Sequence, residues 1–158
     1  MNLVQEHLKI LVEMQSKHHP EFKSTYAFVL ENGQEFEPIV LPEGVSRGAP
    51  KDCFGNAFRS ILRHQDLVYV EGFAMGIIPV HHAWVATPEM KAIDVTWDEH
   101  LAGAEPTYFG VPFSREYVLQ RACQTKIAGV LDQWREGWPL ENGKHENWLW
   151  DAAPEMCR

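Results

Sequence analysis

The sequence predicts a single α+β domain in which a helix opening at Cys53 packs on an antiparallel sheet that carries His82 and Asp94. Three observations lead to that fold class. Phe54, Ala57/Phe58 and Ile61/Leu62 recur at three-to-four spacing just after Asp52, the mark of a helix with one apolar face. Three strand-like segments then follow between Leu67 and Trp97, with Gly72, Gly76 and Pro79 as punctuation. Helical periodicity returns near both ends, over residues 3–17 and 115–125.

Composition narrows the field. The chain has 158 residues, about one domain's length and enough to bury a core. Its 45% hydrophobic and 23% charged residues are ordinary for a globular protein. Net charge is −8, from 14 basic and 22 acidic residues, and no basic block stands out, which argues against binding a phosphate backbone. The run from Phe73 to Val80 is too short and glycine-broken to cross a membrane. The first residues lack the basic and apolar regions of a secretory signal. Cys53, Cys123 and Cys157 are odd in number and irregular in spacing, so a reducing cytoplasm is expected rather than a disulfide framework.

Taken in order, Leu3, His7/Leu8, Leu11/Val12 and Met14 predict an amphipathic helix that stops at Lys17-His18-His19-Pro20. The two histidines lack a cysteine or carboxylate at ligand spacing and read as a cationic helix end, not a metal site. Tyr26–Leu30 reads as a strand, Glu31–Gln34 as a hairpin-type turn, and Phe36–Leu41 as the returning strand. Pro42–Pro50 is an irregular loop leading to the helix at 53–64, for which Asp52 is the expected N-cap. Strands are expected over 67–74, 78–86 and 91–97, and a short helical turn at Asp98-Glu99-His100. Tyr108–Phe113 is extended, and Ser114 caps the helix at 115–125. One domain over residues 1–158 is expected, with its core at about 20–125 and a Trp-rich C-terminal wrap at about 129–158.

The chemistry concentrates in three residues. Only a thiolate attacks a carbonyl, and an ordinary thiol, with a pKa near about 8.5, is mostly protonated at neutral pH. A helix N-terminus and an imidazolium both lower that value, and Cys53 sits in the first helical turn, where its own N–H is the natural oxyanion donor. A cap carboxylate at Asp52 would oppose the thiolate. If Thr87-Pro88-Glu89 closes a three-residue hairpin, Val85 faces Lys91, Trp84 faces Ala92 and His82 faces Asp94. His81 then points to the opposite face, while Ala83, Val85, Ile93 and Val95 form one apolar face. Asp98 and Asp151 are the substitutes for Asp94 in another register. Buried packing of Cys53, a simple His–Asp hydrogen bond, and a metal held by the three residues are the competing readings. The order of all three favours a nucleophilic site.

Cys-Phe-Gly-Asn-Ala at a helix start, Tyr-Val-Glu-Gly, His-Ala-Trp and Ile-Asp-Val-Thr-Trp together resemble the transglutaminase-like branch of the papain-like cysteine-hydrolase superfamily, in particular its small microbial and bacteriophage members. The resemblance covers residues 52–97. It implies a papain-like core and a triad of Cys53 as nucleophile, His82 as base and Asp94 as orienter. It departs from true transglutaminases in lacking an acidic calcium loop and a side-chain oxyanion donor, which weighs against protein crosslinking. The expected function is a cysteine-dependent hydrolase or acyltransferase acting on an amide, isopeptide or ester carbonyl of a peptide, protein or small substrate. No cofactor, metal, nucleic acid or membrane enters that expectation. The alternative is a non-catalytic protein-binding module on the same fold, of the phage host-interaction kind, with its Trp-rich tail as an exposed patch. Walls of the cleft are expected from residues 42–51, Trp84 and Tyr108–Phe113.

Overall fold

Helix α1 (Leu3–His18) starts where Asn2 Oδ1 accepts the Val4 N–H at 2.9 Å; it buries Val4 and Leu8, whereas Leu3 and Met14 of the expected apolar face are exposed. The computed structural model describes residues 2–21, 23–98 and 106–151. Glu99, His100 and Cys157 lie outside them, and with them most of the turn expected after Trp97. Among the described residues no helix is long and apolar enough to cross a membrane.

The first strand expected from the sequence is a helix instead. In α2 (Thr25–Asn32), Ser24 caps the first turn by accepting the Ala27 N–H, and Gly33 closes the last one through the Val29 carbonyl. Phe28 and Val29 are both buried, adjacent positions that a strand would send to opposite faces. The β-rich composition of Tyr26–Leu30 is therefore overridden by a cap and by packing. The expected hairpin goes with it. Strand β1 (Gln34–Pro38) pairs with no neighbour from residues 26–30; it lies antiparallel to β5 (Thr107–Phe113) and parallel to β4 (Lys91–Ile93).

Those pairings close the sheet. With β2 (Val68–Met75) and β3 (Pro79–Ala86) the strand order is β1-β4-β3-β2-β5, a five-stranded barrel whose ladders are antiparallel except for β1/β4. Strand β2 pairs on both edges and is buried on both faces, which is why Val68–Met75 reads as an almost continuous apolar run. Its even-numbered side chains meet Trp84, Ala86, Phe36, Ala92 and Tyr108 inside the barrel. Its odd-numbered ones join Ala83, Val85, Ile93 and Val95 beneath the helices. Gly110 of β5 has no room for a side chain, since a Cβ there would lie 2.6 Å from the Trp84 ring.

Helix α3 (Cys53–Arg63) lies on that outer layer through Ala57 and Ile61. Helix α4 (Arg115–Thr125) is capped by Ser114, as its sequence predicts, and buries Tyr117 and Val118. The chain then passes a short 3-10 turn (Trp134–Glu136) and returns over the core, seating Val130, Leu131 and Leu140. Trp148 packs on Phe28 and Phe113, and Trp150 packs against the barrel-interior cluster. Of the tail tryptophans only Trp134 is mostly exposed, so they do not form one exposed patch.

Candidate active site

The site begins at the N-terminus of α3. Asp52 occupies the cap position, and its carbonyl accepts the Asn56 N–H at 2.8 Å, but its carboxylate makes no capping bond. It reaches Arg59 instead, at 2.6 Å. The expected side-chain cap is thus replaced by an ion pair, because Arg59 lies two turns along the same exposed flank. The charge that would oppose a thiolate is countered, and the first-turn N–H groups stay clear of that carboxylate.

Asn56 ties the surroundings together. Its Nδ2 donates to the Ala49 carbonyl and to Thr96 Oγ1, and its Oδ1 accepts from Arg59. The Gly48 N–H donates to the Val95 carbonyl and Arg47 Nε to that of Trp97, so the 42–51 loop is pinned to residues 95–97.

The β3–β4 hairpin places the histidine and the aspartate. Its loop has three residues, but they are Pro88-Glu89-Met90 rather than Thr87-Pro88-Glu89: Thr87 N–H bonds the Lys91 carbonyl, and Met90 takes a left-handed φ of 62°. Such a left-handed third residue is the usual form of this loop. Consequently Val85 pairs with Ile93 and Ala86 with Ala92, a register two residues away from the expected one. A two-residue slip preserves the faces. Asp94, just past β4, therefore reaches His82 diagonally, with His82 Nε2 2.7 Å from Asp94 Oδ2.

That contact is buried. His82 is 2% exposed, and its ring stacks on Trp97 with centroids 4.2 Å apart. The Cys53 side chain, half-buried at the helix start, is close enough to the same ring to favour its protonated form. Burial works against the imidazolium, but the hydrogen bonds and charges of Asp94 and Cys53 outweigh it and push the His82 pKa up to about 9. Asp94 is likewise penalised by burial, yet His82 and the Thr96 and Trp97 amides hold its carboxyl below the ordinary value. Both amides donate to Asp94 Oδ1 at 2.8 Å.

Three contributors were not foreseen from the sequence. Tyr108, from the far side of the barrel, donates its hydroxyl to Asp94 Oδ2 at 2.8 Å. Burial and the Asp94 charge raise its own pKa, so it stays a donor. Trp97 closes over the imidazole, and Asn56 fixes the loop; only the proximity of both to Cys53 and Asp94 in sequence could have flagged them. Asp98 and Asp151 are exposed, and neither displaces Asp94 from the ring. Trp84 is fully buried inside the barrel and forms no cleft wall, contrary to expectation.

His81 faces the other layer, where Nε2 lies 2.9 Å from Oε1 of the fully buried Glu71. Cys123 is exposed on α4, away from any such partner pair. Among the described residues no group of three or more His, Cys, Asp or Glu side chains is arranged to hold a metal ion. Compared with known proteins, the chain matches no family model, no curated protein and no solved structure.

Proposed function

We propose that the chain is a cysteine-dependent hydrolase or acyltransferase with a papain-like, transglutaminase-like arrangement of its core. Cys53 attacks an amide, isopeptide or ester carbonyl; His82 takes the thiol proton and returns it to the leaving group; Asp94 holds the imidazole. The observation that carries this reading is the buried His82 ring bonded to Asp94 through Nε2, with Cys53 at the start of α3 close enough to help hold the ring's proton. An imidazolium beside a thiol at a helix N-terminus favours the thiolate twice over, by charge and by dipole. The Cys53 N–H and its first-turn neighbours then serve the oxyanion, since the Asp52 side chain does not occupy them. A reducing cytoplasm suits a working thiol.

The test uses the protein's own control. Alkylation by iodoacetamide at about pH 6, read by peptide mapping, should modify Cys53 about tenfold or more faster than the exposed Cys123, and His82→Ala should remove the difference. Equal, slow labelling of both cysteines in the unmodified protein would end the catalytic reading.

A further inference from the structure

A cavity of about 550 Å³ opens on the far side of β3 from Asp94, walled by Phe54, Glu71, His81, Asp132, Trp134 and Glu136 among others. Two of these are chain neighbours of the triad: Phe54 follows Cys53, and His81 precedes His82. Its size is that of a small-ligand site.

The hydrogen bonding fixes what its floor presents. Glu71 accepts from the Tyr69 hydroxyl at 3.0 Å, the Val130 N–H at 2.7 Å and the Leu131 N–H at 3.1 Å, in addition to His81. A carboxylate surrounded by donors requires the proton of that last bond to sit on His81 Nε2. Phe54 edge-on and Phe73 alongside hold the ring in place. Asp132 adds a carboxylate, held through Oδ1 by Trp138 Nε1 at 2.6 Å. Glu136 adds another, paired from beneath with Arg121. The basic side chain on the wall itself, Arg135, lies over the Trp134 ring at 5.2 Å, which shows that ring accepting a guanidinium. Carboxylates and aromatic faces suit a donor-rich cation on an apolar stem, and the net charge of −8 draws cations to the surface.

Resting on the acyl-transfer reading, we infer that this cavity is a specificity pocket for a cationic side chain, so that the carbonyl delivered to Cys53 belongs to a basic peptide or amide. Titration of the full-length Cys53→Ala protein with N-acetyl-L-argininamide should give saturable binding about fivefold tighter than with N-acetyl-L-norleucinamide. Asp132→Asn should weaken the first and spare the second. Asparagine tolerates the left-handed backbone at that position, φ 52°, and keeps an acceptor for Trp138, so the fold is preserved. The exposed Trp134→Leu is the second variant and should act in the same direction. Equal affinity for the two amides, or argininamide binding unchanged in both variants, overturns the inference. If argininamide binds selectively while Cys53 alkylation ignores His82, the catalytic reading falls and the pocket stands. If Cys53 is activated by His82 but argininamide does not bind, the pocket falls alone.

Discussion

Two histidine–carboxylate pairs sit one residue apart on β3 and do different work. His82–Asp94 and His81–Glu71 have similar bond lengths, 2.7 and 2.9 Å. Strand alternation sends them to opposite layers. Glu71 is a four-donor anchor that fastens the returning segment at Val130 and Leu131 to β2. Asp94 is held by a local turn and by Tyr108, and its histidine meets a thiol. Pair geometry alone therefore does not single out a candidate reactive centre; a neighbouring thiol does.

The largest effect should come from Asp94→Ala. It strands a buried imidazole, a change of about 3–5 kcal/mol for a broken buried pair, and it should slow Cys53 alkylation at about pH 6 by tenfold or more. Chemical denaturation and labelling rates on the same variant check both. Retained labelling would erase the distinction between the pairs. Glu71→Gln is the mirror experiment. It opposes either the Val130 or the Leu131 amide with a new donor and should cost about 2 kcal/mol while leaving Cys53 labelling within about twofold. A collapse of labelling there would merge the two pairs into one functional unit.

The pH dependence of stability probes the His82–Asp94 pair next. The His82 pKa is raised from 6.5 to about 9, so its stabilisation is complete below 6.5 and is lost as pH rises through about 9. The Asp94 value is lowered from 3.8, so its stabilisation is present above 3.8 and is lost as pH falls through the lowered value. The Tm deficit of His82→Gln against the unaltered protein should therefore be largest between 3.8 and 6.5 and shrink toward pH 9. A deficit that stays flat across that range in scanning calorimetry would contradict the assigned ion pair. The smallest effect is expected from Tyr108→Phe, which removes one hydrogen bond to Asp94 Oδ2 for about 1 kcal/mol. A loss as large as that of Asp94→Ala would mean that Tyr108, not the local turn, holds the carboxylate.

Much of the site was legible because it rests on short-range rules. The periodicity of Phe54, Ala57 and Ile61 placed Cys53 at a helix start, and strand parity separated His81 from His82. Parity also protected the His82–Asp94 contact from a misplaced hairpin, since the loop shifted by one position and the pairing by two. The misread elements share a cause. Tyr26–Leu30 carries strand-like residues, and only its cap and its neighbours decide for helix.

By itself, then, the sequence determined the α3 start, the alternation along β2 and β3 and the Ser114 cap, all set by contacts within a few positions. Tertiary structure alone decided the parallel β1/β4 ladder that closes the barrel, the arrival of Tyr108 at Asp94, and the anchoring of residues 130 and 131 by Glu71. Each of these joins residues 14 to 60 positions apart. A side chain so distant has no local periodicity to announce it, and its partner is chosen only when burial leaves a polar group that must be satisfied.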